Sequence, residues 1–283
     1  MIKGIDVSNH QERVDWTRVK TDGVAFAYIK ATEGVGFVDP KMGAFAAGAT
    51  NAKIPFGFYH FARPDTHSGR TKQTAIGDAQ AEADAFLNVA FPKTGQLVPV
   101  LDLEVGGLSP TLMVTWTKAW LDRVHERTSV QPILYTYPAF WKQLGDSSAF
   151  RSYRLWIASY GVATPQLPDG WKKYTIWQYG TGSVPGIPGP VDLDRLADGL
   201  TLDEITLMPP PPPPPPPPAQ NLPGPVPKPD WFWVWVRWRQ GVGEFEQLQQ
   251  HPDVRPDEAP DRIPQWAWQS LTKLSTKPKP PPA

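Results

Sequence analysis

The chain has no cysteine among its 283 residues, which excludes disulfides, thiolate nucleophiles and zinc–thiolate centres. It has no excess of either charge: Lys+Arg 28 balances Asp+Glu 28, so nothing points to a nucleic acid held by bulk electrostatics. No apolar run approaches the ~18 residues needed to span a bilayer, and membrane insertion is not expected. There is no Gly-x-Gly-x-x-Gly after a strand, no Gly-x-Ser-x-Gly elbow and no i, i+4 histidine pair, which argues against nucleotide, serine-hydrolase and zinc chemistry. A calcium loop is absent too, so clustered acids are not read as a metal site, and no cofactor is expected.

Proline is abundant instead, and unevenly placed. Of 35 prolines, 13 precede position 209 and 22 follow from it, ten of them in the unbroken run Pro209–Pro218. Such a tract has no N–H donors and a fixed φ, so it can make neither helix nor ladder. It reads as a stiff polyproline II spacer. The expected organisation is therefore a catalytic-size domain over 1–208, a linker over 209–229, a tryptophan-rich module over 230–276 and a tail over 277–283.

Within 1–208, short β-branched or aromatic segments bounded by Gly, Pro or Asp recur: Ile2–Asp6, Val24–Lys30, Ile54–Phe61, Leu97–Glu104, Pro132–Thr136, Leu155–Ala158, Thr175–Tyr179 and Val191–Asp194. Between them lie helix patterns over Thr71–Phe91 and after the Ser109-Pro110 start signal. Eight strands alternating with helices predict an α/β fold with a mostly parallel sheet closed into a barrel. Helices between the last three strands look short or absent, so the barrel should be irregular.

In such barrels the chemistry sits at the strand ends. Three candidate strands end in acid: Asp6 on the first, Asp102 and Glu104 on the fourth, Asp192 with Asp194 on the last. Asp102 and Glu104, two apart, project to one face of their strand, with Leu101 and Leu103 facing away. Acids gathered in a low-dielectric pocket raise one another's pKa, which keeps one carboxyl protonated near neutrality. Glycoside cleavage needs that arrangement. His60, next to Tyr59 on a strand, should face the other way and be packed or hydrogen-bonded.

The motifs as a set resemble glycoside hydrolase family 25, the lysozymes of the Chalaropsis type. The matching stretches are Gly4-Ile-Asp-Val-Ser with Gln11 and Val14-Asp-Trp, Phe26-Ala-Tyr-Ile-Lys-Ala-Thr-Glu-Gly, Gly57-Phe-Tyr-His-Phe, Leu101-Asp-Leu-Glu, Leu155-Trp-Ile-Ala-Ser-Tyr, Trp177-Gln-Tyr and Val191-Asp-Leu-Asp. Glu12 departs from the glycine common in the family. The resemblance implies a TIM-like (β/α)5β3 barrel and N-acetylmuramidase activity on bacterial peptidoglycan. It casts Glu104 as general acid, Asp6, Asp102 and Asp192 as the rest of the acidic pocket, and Tyr59, Tyr135, Trp177 and Glu33 as substrate contacts. The attacking group stays open between the substrate's own 2-acetamido oxygen, oriented by Asp102, and Asp102 itself. A non-catalytic wall-binding protein and a chitinase-like glycosidase are the alternatives.

Residues 230–276 hold six of the 13 tryptophans. They are expected to form a small, helical, wall-binding module capable of self-association, since flat aromatic faces suit sugar rings. The Met1-Ile-Lys-Gly start shows no apolar leader. Together with the modular layout, this gives the expectation of a phage endolysin made in the host cytoplasm and acting on the wall after release.

Overall fold

The computed structural model describes residues 2–209 except 67, 68 and 146. They belong to the first of two units into which the chain divides, Met1–Pro211. The expectations for the linker beyond Pro209, the tryptophan-rich module and its self-association fall outside the described residues.

The barrel strands are β1 (Lys3–Val7), β2 (Phe26–Glu33), β4 (Phe56–Phe61), β5 (Val100–Asp102), β6 (Ile133–Thr136), β7 (Leu155–Ala158), β8 (Ile176–Gly182) and β9 (Val191–Leu196), with a two-residue strand β3 (Phe37–Val38) folded back on β2. Neighbours run in the order β1-β9-β8-β7-β6-β5-β4-β2, and a β1–β2 pairing closes the ring. The helices are α1 (Trp16–Thr21), α2 (Met42–Asn51), α3 (Lys72–Ala90), α4 (Pro110–Thr128) and α5 (Pro138–Gln143). The eight-stranded irregular α/β barrel read from the sequence is the fold observed. No helix among the described residues is long and apolar enough to cross a membrane.

Two differences have clear causes. The β8–β9 connection spans only 183–190, too short for a crossover helix, so β9 runs antiparallel to both β8 and β1. Asp192 therefore enters at the start of its strand, not at its end. The β3 hairpin was not expected, because a two-residue strand carries no periodicity to read.

Strand alternation divides the apolar residues into two cores. Ile5, Val7, Ala27, Ile29, Leu101, Leu134, Ile157 and Trp177 face outward and pack, with Phe86 of α3 and Trp116 and Trp120 of α4, in the layer between barrel and helices. Phe26, Tyr28, Val100, Ile133, Trp156, Ile176 and Leu196 fill the barrel interior. Gly4 belongs to the inner set: a Cβ there would lie 2.3 Å from the Phe26 ring, so the barrel floor closes only around a bare backbone.

His60 points outward, as its neighbour Tyr59 requires. It is fully buried, its Nε2 2.8 Å from Glu82 Oε2 on α3 and its Nδ1 2.8 Å from Thr32 Oγ1, with its ring stacked on Trp120. Glu82 Oε2 also accepts the Arg63 backbone N–H at 3.0 Å. Glu82→Ala strands both partners and should destabilise the domain by about 3 kcal/mol. A melting curve showing no downward shift would refute this.

Candidate active site

The C-terminal ends of β1, β2, β4, β5 and β6 open into a cavity of about 290 Å³. Inward-facing alternation sets its wall: Asp6 from β1, Tyr59 from β4, Asp102 from β5 with Glu104 just beyond it, Tyr135 from β6 and Asp192 from β9 all line it. Thus all four acids cast as catalytic, and both tyrosines, converge on one concave surface. Leu101 and Leu103 are packed outside the barrel, so the two-residue spacing in Asp-Leu-Glu delivers both acids to the mouth.

Trp177 and Glu33 do not join them. Trp177 precedes the inward-facing Gln178, and so it faces outward. There it donates its Nε1–H to the Ser159 carbonyl at 2.7 Å and stacks 4.2 Å from the Arg195 guanidinium. A ring buried in the helix-facing layer has no access to sugar. Glu33 lines a neighbouring groove, its oxygens taken by Lys30 Nζ at 2.7 Å and Arg63 at 2.6 Å. Burial alone would raise its pKa, but these two cations outweigh that and hold the carboxyl below its usual range.

The structure adds residues to which the sequence reading gave no role in the site. Gln178 occupies the centre of the wall: its Nε2–H donates to Asp6 Oδ2 at 2.8 Å, and its Oε1 accepts the hydroxyls of Tyr135 at 2.9 Å and Tyr160 at 2.5 Å. Lys30, the one Lys or Arg lining the cavity among the described residues, sits 4.6 Å over the Phe61 ring. Asp194 lies behind Asp6, fully buried, and accepts the Trp156 indole N–H at 2.9 Å. Each of these side chains belongs to a motif already singled out. The signal that could have found them was alternation, since Gln178, Trp156 and Lys30 share the parity of their inward-facing strand neighbours.

Electrostatics follow from the shortage of cations. Burial first, then the charge of Asp192, pushes Asp6 up to about 8, against the hydrogen bonds from Gln178 and Asp194 that lower it. Asp102 is raised well above the carboxylate range by burial and then by Glu104 and Asp6, with Lys30 opposing. Glu104, half-buried, is raised by burial and by Asp192. Burial and mutual repulsion thus favour the protonated forms in the cavity, and Glu104, at its partly open mouth, is shifted in the direction a general acid needs. Among the described residues, Asp102 Oδ1 is buried and meets no donor. No grouping of three or more His, Asp or Glu among the described residues is arranged to hold a metal ion.

An irregular barrel whose mouth gathers carboxyls of raised pKa beside tyrosine hydroxyls has the arrangement that a glycoside hydrolase needs. The chain belongs to glycosyl hydrolases family 25, whose model matches residues 5–187. It is 37% identical over 205 residues to lysozyme M1 of Streptomyces globisporus, covering 69% of this chain and 67% of that one. The N,O-diacetylmuramidase of Chalaropsis is 36% identical over 221 residues, 70% of this chain and all of its own length. Among solved structures, the lysozyme of Streptomyces coelicolor superposes with a TM-score of 0.65 at 34% identity, covering 72% of this chain and 94% of that one.

Proposed function

We propose that this peptidoglycan hydrolase is an N-acetylmuramidase that cleaves the β-1,4 bond between N-acetylmuramic acid and N-acetylglucosamine, with Glu104 as general acid. The observation that carries the reading is the pairing of a half-buried Glu104, its pKa raised by burial and by Asp192, with a buried Asp102 whose Oδ1 lacks a donor among the described residues. A 2-acetamido group carries an amide N–H suited to that orphan oxygen. Bound there, Asp102 turns the acetamido carbonyl oxygen toward the anomeric carbon. Glu104 gives its proton to the glycosidic oxygen, the C1–O bond breaks, and the acetamido oxygen closes on C1. Water, deprotonated by the Glu104 carboxylate, then opens the cyclic intermediate and restores the acid. Asp6 and Asp192 face the developing oxocarbenium ion, and Tyr59 and Tyr135 flank it.

The modular sequence supports a role as a phage endolysin, delivered from the host cytoplasm to the wall, with residues 230–276 as its wall anchor. The test of the bond is mass spectrometry of muropeptides after digestion of purified peptidoglycan. The expected products end in a reducing N-acetylmuramic acid. A reducing N-acetylglucosamine, or preferential release from chitin oligomers, would overturn the assignment.

A further inference from the structure

We propose that Asp194 is a positioning residue that keeps a proton at the back of the cavity and donates it to Asp6, leaving Asp6 as the member of the pair that ionises. This rests on the reading of the site given above and concerns a residue outside its reacting set.

The antiparallel register places Asp6 opposite Asp192 and Asp194 opposite Gly4, which has no side chain to occupy the space between. Asp194 is entirely buried. Its Oδ1 accepts the Trp156 indole N–H at 2.9 Å, while its Oδ2 is buried and meets no N–H or O–H donor among the described residues. The group it contacts is the Asp6 carboxyl. Two ionised carboxylates held together away from water repel, and neither can satisfy the other. One proton between them supplies the missing donor and removes the repulsion, as in paired-carboxyl sites generally.

Which partner holds that proton follows from the remaining hydrogen bonds. Asp6 Oδ2 accepts from Gln178 Nε2, and the Gln178 amide is fixed in that orientation by two tyrosine hydroxyls on its Oε1. Asp6 thus has a prepared donor for its charged form and faces the cavity. Asp194 lies deeper with a single indole N–H. The charged groups that act on it are acidic, Asp6 and Asp192, and the Tyr28 hydroxyl, which feels its charge, is acted on by Arg154 as well. Asp194 is accordingly the weaker acid, and its hydrogen bond draws the Asp6 pKa down against burial.

Asparagine mimics a protonated aspartate, presenting an acceptor to Trp156 and an N–H to Asp6, so the test is rescue. Asp194→Leu should lower kcat/KM by about tenfold or more, the cost of one hydrogen bond to a charged group, and move the limb set by Asp6 ionisation to higher pH. Asp194→Asn should return that limb to its parental position. An asparagine variant displaced like the leucine one would show that Asp194 acts as an anion. A leucine variant that melts lower with its limb unmoved would show a structural role only; either result overturns the proposal. Infrared titration gives a readout independent of cleavage and of whether the leucine variant folds. Above the pH at which Asp6 ionises, the parent should show more protonated-carboxyl absorption than Asp194→Asn, by one carboxyl beyond any that Asp102 contributes to both, and equal bands would also overturn it. If instead wall digestion gave the wrong reducing sugar while the band behaved as expected, the muramidase reading would fail and the proton site would stand.

Discussion

Glu104→Gln should reduce peptidoglycan cleavage by about 10²–10⁴-fold, the usual contribution of a positioned general acid, while the melting temperature does not fall. The two halves have one cause. Burial and the charge of Asp192 disfavour the ionised form of Glu104, which raises its pKa in the direction a proton donor needs. The same forces mean that a neutral amide of equal shape fits the site at least as comfortably as the carboxylate. A residue selected for its chemistry gives up stability, and its neutral isostere recovers some of it. The measurement is the initial rate of reducing-end release alongside a melting curve at the same pH. A variant that clears cell walls at the parental rate would remove Glu104 from the acid role. One that loses activity only because it melts early would leave the role without support.

The reach of the sequence can be judged from particular residues. Asp102 and Glu104 were legible because period two and the end of an apolar run determine both face and depth, and the same rule oriented Tyr59 and His60 oppositely. Trp177 was misplaced although the rule was available: in Trp-Gln-Tyr the aromatic ring drew the substrate role, whereas parity with Ile176 gives the cavity to Gln178. Asp192 was read as a strand-end acid because the direction of β9 depends on a short tertiary connection that leaves no mark on the strand's own pattern. The Lys30–Glu33–Arg63 ion pairs belong to contacts that local periodicity does not encode, and they hold Glu33 in the neighbouring groove, apart from the acid cluster. Fold and acid cluster thus follow from alternation. The hydrogen-bond geometry around Gln178 and Asp194 depends on which strands meet.

Raising the pH from about 4 to about 8 should destabilise the barrel, by an amount on the order of a few kcal/mol. Asp6 ionises near 3.8 in the unfolded chain and only near 8 in the folded one. A group whose folded pKa is raised binds its proton more tightly in the native state. Its contribution is complete below the unfolded value, declines with pH between the two, and is gone above the folded one. Asp102 and Asp194 are shifted in the same direction, so the three act together, although their coupling makes the total less than the sum. Glu33, Asp65 and Asp84 are shifted the opposite way by their arginine or lysine partners, and lose their contribution as pH falls below their ordinary values. These are partly exposed pairs, each worth about 0–1 kcal/mol, so they do not cancel the buried acids. Stability should therefore peak in mildly acidic solution, where both sets contribute. Asp6→Asn removes the titrating group and should flatten the decline between those limits while costing activity. Melting temperatures across the range decide it: a curve that rises steadily toward neutral pH would mean that the buried carboxyls are ionised in the folded protein, and the acid assignment of Glu104 would lose its electrostatic basis.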